Sequence, residues 1–163
     1  MDKILLVGAG GHARACIDVI ETENQFEIAG LIEKNESMTD MNLGYPIIGT
    51  DSDLSELRQQ YSHAMITVGQ IKSSKTRIKL YQLLKKLDYI LPAIISPKAY
   101  VSKHAQIGEG TIIMHGVIMN ANAKIGSNCI INNKSLIEHD VVIGNHCHIA
   151  TGAIINGEVS VGD

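Results

Sequence analysis

A histidine with an acid on each side is the clearest candidate for chemistry in this sequence, in the run Glu138-His139-Asp140. An imidazole titrates near neutral pH, so it can accept and return a proton during a reaction. A neighbouring carboxylate can orient the ring and stabilise its charged form. On these residues alone, a general base and an exposed histidine in a surface turn are both open, and either Glu138 or Asp140 could orient the ring.

A glycine-rich turn is the second candidate. Gly10, Gly11 and His12 follow an apolar run at residues 3–7 and precede a helical pattern. Backbone N–H groups at the start of a helix can bind a phosphate, and Glu33, at the end of the next predicted strand, could bind a ribose or sugar hydroxyl. The same turn could instead serve only to pack the helix on the strand. The N-terminal segment is short for a dinucleotide fold, so a mononucleotide fits the pattern better than NAD.

A period of six residues predicts the element that carries the acid-flanked histidine. From Val101 to Val161, every sixth residue is isoleucine, valine or methionine, and a small or β-branched residue lies two positions earlier. Alternating inward positions indicate short strands, and a fixed period indicates a solenoid. Glycines recur at intervals of eighteen residues, at Gly108, Gly126, Gly144 and Gly162. The pattern predicts a parallel β-helix whose triangular coil has eighteen residues and three strands.

The elements that carry the glycine turn alternate between strand and helix. Apolar and helical patterns predict strands at residues 3–7, 26–32 and 65–68, and a helix at residues 74–87. This order indicates βαβ connections and a parallel sheet. We therefore predict an α/β, Rossmann-like domain at residues 1–95 and an all-β domain of hexapeptide repeats at residues 96–163.

Composition excludes several function classes. With a net charge of −3 and no basic block, the chain is not expected to bind nucleic acid. No apolar run approaches the length of a membrane span, so we predict a cytoplasmic protein without membrane contact. Cys129 and Cys147 lie one coil apart inside the repeat and are expected to be reduced packing residues. No column of the predicted coil holds two histidines, so no metal site is expected.

The glycine turn, the short α/β domain and a hexapeptide repeat containing the acid-flanked histidine together resemble the bacterial sialic-acid and nucleotide-sugar acetyltransferases. The resemblance implies a left-handed coil and acetyl transfer from acetyl-CoA to the amino group of a UDP-linked 4-amino sugar in surface-glycan biosynthesis. O-acetylation of sialic acid or a related nonulosonate is the alternative within this class. A non-catalytic scaffold subunit of a glycan-synthesis complex is the alternative outside it, and a nicotinamide oxidoreductase ranks last.

The resemblance also implies roles for residues of the β-helix. His139 matches the general base, and Asp140 matches the acid that orients it, with Glu138 as the alternative. His148 matches a residue that contacts acetyl-CoA, and Gly157, one coil above His139, would leave room for the thioester arm. Because His139 and His148 lie half a coil apart, they would meet only across a groove between subunits, which predicts a homotrimer.

In the N-terminal domain, the resemblance places the acceptor, a nucleotide sugar or sialic acid, on three segments. These residues are Gly10, Gly11, His12, Glu33, Lys34 and Gly69, with Arg77 as a weaker candidate. Relatives that bind UDP-sugars often have two acids where this chain has Glu33 and Lys34, so an acceptor with a carboxylate stays open. Relatives also continue for further coils, so we expect the chain to be truncated at its C-terminus, with an unfinished β-helix.

Overall fold

The computed structural model describes residues 1–34 and 41–163. The chain divides into two compact units, Met1–Pro92 and Ala93–Asp163. Across these two described ranges, none of the helices combines the length and hydrophobicity needed to span a bilayer.

A largely parallel sheet forms the centre of the N-terminal unit. Its described strands are β1 (Asp2–Val7), β2 (Phe26–Ile32), β3 (Met41–Asn42), β4 (Tyr45–Gly49) and β5 (His63–Ile66). They lie in the order β3-β4-β2-β1-β5, and β3 alone among these is antiparallel to its neighbour. The sheet confirms the predicted α/β class. The hairpin of β3 and β4 was not predicted, and β5 begins two residues earlier than expected, where His63 pairs with Ile4.

Helices connect these strands. They are α1 (Gly11–Glu23), α2 (Leu54–Leu57), preceded by a 3-10 turn at Asp51–Asp53, and α3 (Lys75–Lys86). Helix α1 buries Ala13, Cys16, Ile17 and Ile20, whose spacing forms one face of a helix. It ends at Asn24, which adopts the left-handed conformation common at helix C-termini. The glycine turn therefore leads directly into a helix packed on the sheet.

The C-terminal unit is a coil of two-residue parallel strands in three sheets. The first sheet contains β6 (Ile94–Ile95), β9 (Ile112–Ile113), β12 (Ile130–Ile131) and β15 (His148–Ile149). The second contains β7 (Tyr100–Val101), β10 (Ile118–Met119), β13 (Leu136–Ile137) and β16 (Ile154–Ile155). The third contains β8 (Gln106–Ile107), β11 (Lys124–Ile125), β14 (Val142–Ile143) and β17 (Ser160–Val161). The predicted β-helix is confirmed, and its arrangement is consistent with a left-handed coil.

Each residue of a strand pairs with the residue eighteen positions further along the chain, as the sequence predicts. Ile118 pairs with Leu136, and Ile130 pairs with His148. The second residue of each strand points into the coil, where these side chains form one continuous apolar cluster. Because each outward residue stacks on another eighteen positions away, the register also decides which surface side chains are neighbours.

Three stacks of turns, which we call corners, join the sheets. The first corner, between the first and second sheets, contains residues 96–99, 114–117, 132–135 and 150–153. The second corner, between the second and third sheets, contains residues 102–105, 120–123, 138–141 and 156–159. The third corner returns to the first sheet and carries the predicted glycine column. A Cβ on Gly126 would lie 2.6 Å from the backbone of Gly144, so only glycine fits there.

The two cysteines of the repeat pack beside this glycine column. Cys129 and Cys147 are buried free thiols. The Sγ of Cys129 donates to the carbonyl of Gly144 at 3.2 Å. The two cysteines therefore pack inside the coil one turn apart, as a stack.

Candidate active site

His139 lies in a turn of the second corner, two residues after β13. Its Nδ1 is 2.8 Å from Oδ2 of Asp140, and the side chains of His139 and Asp140 are 59% and 46% exposed. Asp140 adopts a left-handed conformation with φ of 59°. The backbone N–H of Asp140 donates to the carbonyl of Ala121 one coil below. The pair is thus held on a rigid coil and faces solvent.

Two asparagines one coil below bind the two acids that flank His139. Asn122 donates from Nδ2 to Oδ1 of Asp140 at 2.5 Å. Asn120 donates from Nδ2 to Oε2 of Glu138 at 2.9 Å. Each acid is thus held by an asparagine, and Asp140 is the one whose carboxylate lies within hydrogen-bond distance of the ring of His139. The sequence analysis missed both asparagines, although the register of eighteen residues stacks each of them under its acid.

Charge and hydrogen bonding shift the pKa of His139 and the pKa of Asp140 in opposite directions. The hydrogen bond to Asp140 raises the pKa of His139, and the charges of Asp140, Glu138 and Glu158 add to this effect. The pKa of Asp140 is lowered by its hydrogen bonds to Asn122 and His139. A neutral imidazole whose Nδ1–H donates to Asp140 presents Nε2 as the proton acceptor. The pair therefore has the geometry of a general base with an orienting carboxylate.

Gly157 lies against the other side of the ring. A Cβ at Gly157 would come within 2.8 Å of both Nε2 and Cε1 of His139. The backbone N–H of Glu158 also donates to the carbonyl of His139 at 3.1 Å. The sequence analysis expected this glycine to leave room for a thioester arm, whereas the room is occupied here by the imidazole. The register places Gly157 above His139, but the rotamer of His139, which the register does not determine, puts the ring into this space.

His148 lies on β15 of the first sheet, away from the corner of His139 within the same coil. Its Nε2 is 3.2 Å from Nδ2 of Asn132, another side chain that the sequence analysis did not single out. Within one chain, the structure therefore does not bring His139 and His148 onto a common sheet.

The glycine turn of the N-terminal unit opens onto a cavity of about 710 Å³. Most of the predicted acceptor-binding residues line it, whereas Lys34 does not. The lining residues are Gly8, Gly10, Gly11, His12, Glu33, Thr67, Val68, Gly69, Ile71, Lys72 and Ser73. Nothing lies within 4 Å of a Cβ built on Gly10 or Gly11, so a ligand can approach their backbone closely. Lys72 is a lining cation that the sequence analysis missed.

The glycine turn is fixed by side chains from neighbouring strands. The backbone N–H of Ala9 donates to Oε2 of Glu33 at 2.9 Å, and Lys34 N–H donates to Oε1 at 2.8 Å. Asn42 donates from Nδ2 to the carbonyl of Ala9 at 2.6 Å. Gly8 has a positive φ and passes so close to Val68 that a Cβ would lie 2.6 Å from its Cγ2. Glu33 thus shapes the cavity as well as lining it.

Arg77 is buried in the core rather than in the cavity. Its side chain is fully buried, and Nη1 donates to the carbonyls of Ile66 and Val68 at 3.1 and 2.8 Å. The Thr67 hydroxyl donates to the carbonyl of Gly8 at 2.6 Å. Arg77 therefore positions the loop after β5, and the weaker expectation that it contacts the acceptor has no support in this geometry.

Comparison with known proteins identifies the family. Residues 3–84 match the family described as "PglD N-terminal domain", and residues 104–139 and 122–157 match "Bacterial transferase hexapeptide (six repeats)". A solved structure of a histidine-to-asparagine variant of perosamine N-acetyltransferase from Caulobacter crescentus, in complex with CoA and GDP-perosamine, is 30% identical, with a TM-score of 0.89 over 98% of this chain and 74% of its own. The chain belongs to this family of nucleotide-sugar acetyltransferases.

Two further relatives of the family are similar over different extents. UDP-N-acetylbacillosamine N-acetyltransferase from Bacillus subtilis is 32% identical over 116 residues, which are 70% of this chain and 52% of that protein. The chain thus spans about half the length of this curated relative. The acetyltransferase domain of PglB from Neisseria gonorrhoeae, in complex with acetyl coenzyme A, shares the fold at 23% identity, with a TM-score of 0.85 over 98% of this chain and 84% of its own.

In the described ranges, no group of three or more His, Cys, Asp or Glu side chains could hold a metal ion.

Proposed function

We propose that the protein is an acetyl-CoA-dependent N-acetyltransferase that acts on the amino group of a UDP-linked 4-amino sugar in bacterial surface-glycan biosynthesis. The observation that carries this proposal is the 2.8 Å contact between His139 Nδ1 and Asp140, on an exposed corner, with Nε2 left to accept a proton. The two N-acetyltransferases among its relatives act on UDP- and GDP-linked amino sugars, as their names state, and they support this substrate class.

The reaction needs one proton acceptor at the attacking amine. The neutral amine of the sugar attacks the thioester carbonyl, and Nε2 of His139 takes one of its protons. The carbonyl re-forms as an amide while the C–S bond breaks, and the thiolate of CoA leaves. Asp140 stabilises the imidazolium formed in this step. The proton then passes from His139 to the thiolate, so free CoA thiol and a neutral base are regenerated.

The cavity of the N-terminal unit suits the nucleotide part of the acceptor. We infer that the open backbone at Gly10 and Gly11, at the start of α1, binds a phosphate. Glu33 would accept a hydrogen bond from a ribose hydroxyl, and Lys72 adds positive charge to the same cavity. The predicted contributions of His12 and Gly69, which also line the cavity, belong to this proposal as well, whereas the predicted contribution of Lys34 is not supported by the lining.

The outer face of the second sheet supports self-association. The outward-facing residues of its strands are all apolar. Tyr100, Ile118 and Ile154 are 60%, 44% and 66% exposed, and Leu136 lies between Ile118 and Ile154. The outward column of the third sheet is mixed, because Gln106, Lys124 and Ser160 accompany Val142 there. An exposed apolar stripe of this kind is typical of a protein interface and supports one here.

The charges on either side of this sheet suit a cyclic assembly. The first corner carries Lys98 and Lys134, and its described turns contain no acid. The second corner carries three acids, Glu138, Asp140 and Glu158, and one lysine, Lys103, so it is acidic on balance. In a cyclic assembly, the first corner of one copy would meet the second corner of the next copy. The opposite charges of the two corners would then attract each other. We propose a homotrimer with acetyl-CoA in the groove between copies, contacted by His148 and by the coil of Gly157.

Placing a charge on the second sheet should break this assembly. In the Ile118→Glu variant, a carboxylate would be desolvated at the centre of the interface, so we expect a monomer in sedimentation velocity while circular dichroism is unchanged. Val142→Glu, on the third sheet, is a matched control because both side chains are 44% exposed in this chain. The control should remain a trimer. A monomeric parent protein, or an Ile118→Glu trimer, would contradict the proposed groove.

Release of CoA thiol from acetyl-CoA tests the function itself. We expect release with a UDP-4-amino sugar and not with sialic acid or without an acceptor. Release with sialic acid alone would replace this proposal by O-acetyl transfer. The absence of release with every amino sugar and with sialic acid would favour the non-catalytic scaffold.

A further inference from the structure

Asn122 occupies the turn directly below Asp140 in the second corner. Both residues adopt the left-handed conformation, with φ of 62° at Asn122 and 59° at Asp140. Their turns therefore have the same shape, and the two side chains meet eighteen residues apart. Asparagine, aspartate and glycine are the residues that tolerate this conformation best. The backbone of the turn would accept any of these three at position 122.

The side chain of Asn122 makes a contact that neither glycine nor aspartate could supply. Its Nδ2 donates to Oδ1 of Asp140 at 2.5 Å. The other oxygen of that carboxylate, Oδ2, is 2.8 Å from Nδ1 of His139. Glycine has no donor, and an ionised carboxylate only accepts hydrogen bonds. The two oxygens of Asp140 are thus engaged by two different partners, and asparagine is needed for one of them.

A carboxylate that is held at both oxygens keeps one orientation. The terminal torsion of an aspartate is broad, so a single hydrogen bond leaves the group free to rotate. The side chains of His139 and Asp140 also face solvent, where water competes for each oxygen. The backbone N–H of Asp140 donates to the carbonyl of Ala121, which fixes the turn of Asn122 beneath the carboxylate. A donor at this fixed position limits the rotation and keeps Oδ2 directed at the ring.

The electrostatics of the pair agree with this geometry. The hydrogen bond from Asn122 is the largest cause of the lowered pKa of Asp140, ahead of the hydrogen bond to His139 and the charge of Lys124. Asp140 in turn raises the pKa of His139. Asn122 therefore favours the ionised form of the carboxylate that stabilises the imidazolium.

We propose that Asn122 is a positioning residue for the general base: it orients Asp140 so that Oδ2 keeps Nδ1 of His139 protonated and leaves Nε2 to accept a proton. The inference rests on the proposed function, in which His139 is the base. A bond of the same kind joins Asn120 to Glu138 at 2.9 Å, but the hydrogen bond to the ring comes from Asp140. The two asparagines are therefore expected to differ in their effect on catalysis.

NMR of the His139 ring tests the inference without turnover. The ¹⁵N shifts of an imidazole report its pKa and which nitrogen carries the proton of the neutral form. In Asn122→Gly, glycine keeps the left-handed turn and removes the donor. We expect the pKa of His139 to fall, because Asp140 raises it and is held less firmly in the variant. The neutral form with its proton on Nε2 should become more populated.

The remaining charges around the pair are the same in the parent and in this variant. They are Glu138, Glu158 and Lys124. A change in the pKa of His139 therefore isolates the contribution of Asn122. Asn120→Ala is the matched control, because it removes the equivalent hydrogen bond to the other acid. The control should shift the pKa of His139 less than Asn122→Gly does.

Steady-state kinetics test whether Asn122 acts through Asp140. Asn122→Gly should lower kcat roughly three- to tenfold, because one hydrogen bond is lost. The KM of each substrate should be unchanged, and the acidic limb of kcat/KM should move to lower pH. In a double-mutant cycle, Asn122→Gly should cause no further loss in the Asp140→Asn background, because the carboxylate that it positions is absent.

Three results would overturn the inference. They are a parental pKa and tautomer of His139 in Asn122→Gly, an equal pKa shift in Asn120→Ala, and an equal loss of kcat with and without the carboxylate of Asp140. If Asn122→Gly changes the ring as expected but the parent transfers no acetyl group, the proposed function fails and the positioning of the imidazole stands.

Discussion

The His139→Ala variant is expected to lose roughly 10²- to 10⁴-fold in kcat, because the attacking amine then has no general base. The side chain is 59% exposed, so its removal leaves the coil intact. Circular dichroism and sedimentation should match the parent protein. The rate of CoA thiol release with a UDP-4-amino sugar measures the loss.

A histidine elsewhere on the same corner provides the matched control for this variant. His104 is exposed in the turn two coils below and lies in the column of Asp140. The His104→Ala variant should keep the parental kcat. If His139→Ala retained activity within a few-fold, or if His104→Ala lost as much, the assignment of the base would be wrong.

The Asp140→Asn variant is expected to lose roughly 10²-fold in kcat, because the amide cannot stabilise the imidazolium or hold Nδ1 protonated. The pH profile should change in a defined direction. Asp140 raises the pKa of His139, so in the parent the ring stays protonated, and inactive as a base, up to a higher pH. Without the carboxylate this pKa falls. The acidic limb of kcat/KM should therefore move to lower pH while the plateau drops.

Glu138→Gln is the control for this pH effect. Glutamine keeps an oxygen that can accept the hydrogen bond from Asn120, and the hydrogen bond to the ring comes from Asp140 rather than from Glu138. Its removal should shift the acidic limb slightly in the same direction, because its charge also raises the pKa of His139. A larger loss of kcat in Glu138→Gln than in Asp140→Asn would show that the other acid orients the base.

The sequence predicts the β-helix because its physical constraint is periodic. Each coil must place an apolar side chain inside at every sixth position, and the third corner admits only glycine where backbones approach at Gly126. A repeated constraint leaves a repeated signal, and the register of eighteen residues follows from it. Strand β1 and helix α1 were predicted for a related reason, since an apolar run and a helical face flank the glycine turn.

Side-chain pairing at the site was less accessible to prediction. The register stacks Asn120 under Glu138 and Asn122 under Asp140, but only the three-dimensional positions show which carboxylate contacts His139. Gly157 was expected to leave space for a ligand, yet a neighbouring ring occupies that space. Such details depend on rotamers, which a sequence pattern does not encode.

Elements without a periodic pattern were also missed. The hairpin of β3 and β4 is short and contains Pro46, and neither alternation nor a turn motif identifies it. Arg77 was a weaker candidate for acceptor binding, on the family resemblance. Its burial became visible only when the carbonyls of Ile66 and Val68, which it caps, were located in space.

The central claim is tested most directly by following the acetyl group. The chain is incubated with acetyl-CoA labelled with ¹³C at the acetyl carbonyl and with a UDP-4-amino sugar, and the products are identified by NMR and mass spectrometry. We predict that the label appears as an amide on the sugar nitrogen, in equal amount to free CoA, and that the His139→Ala variant forms almost none. Label that stays on CoA, or that appears only as an ester on sialic acid, would contradict the account.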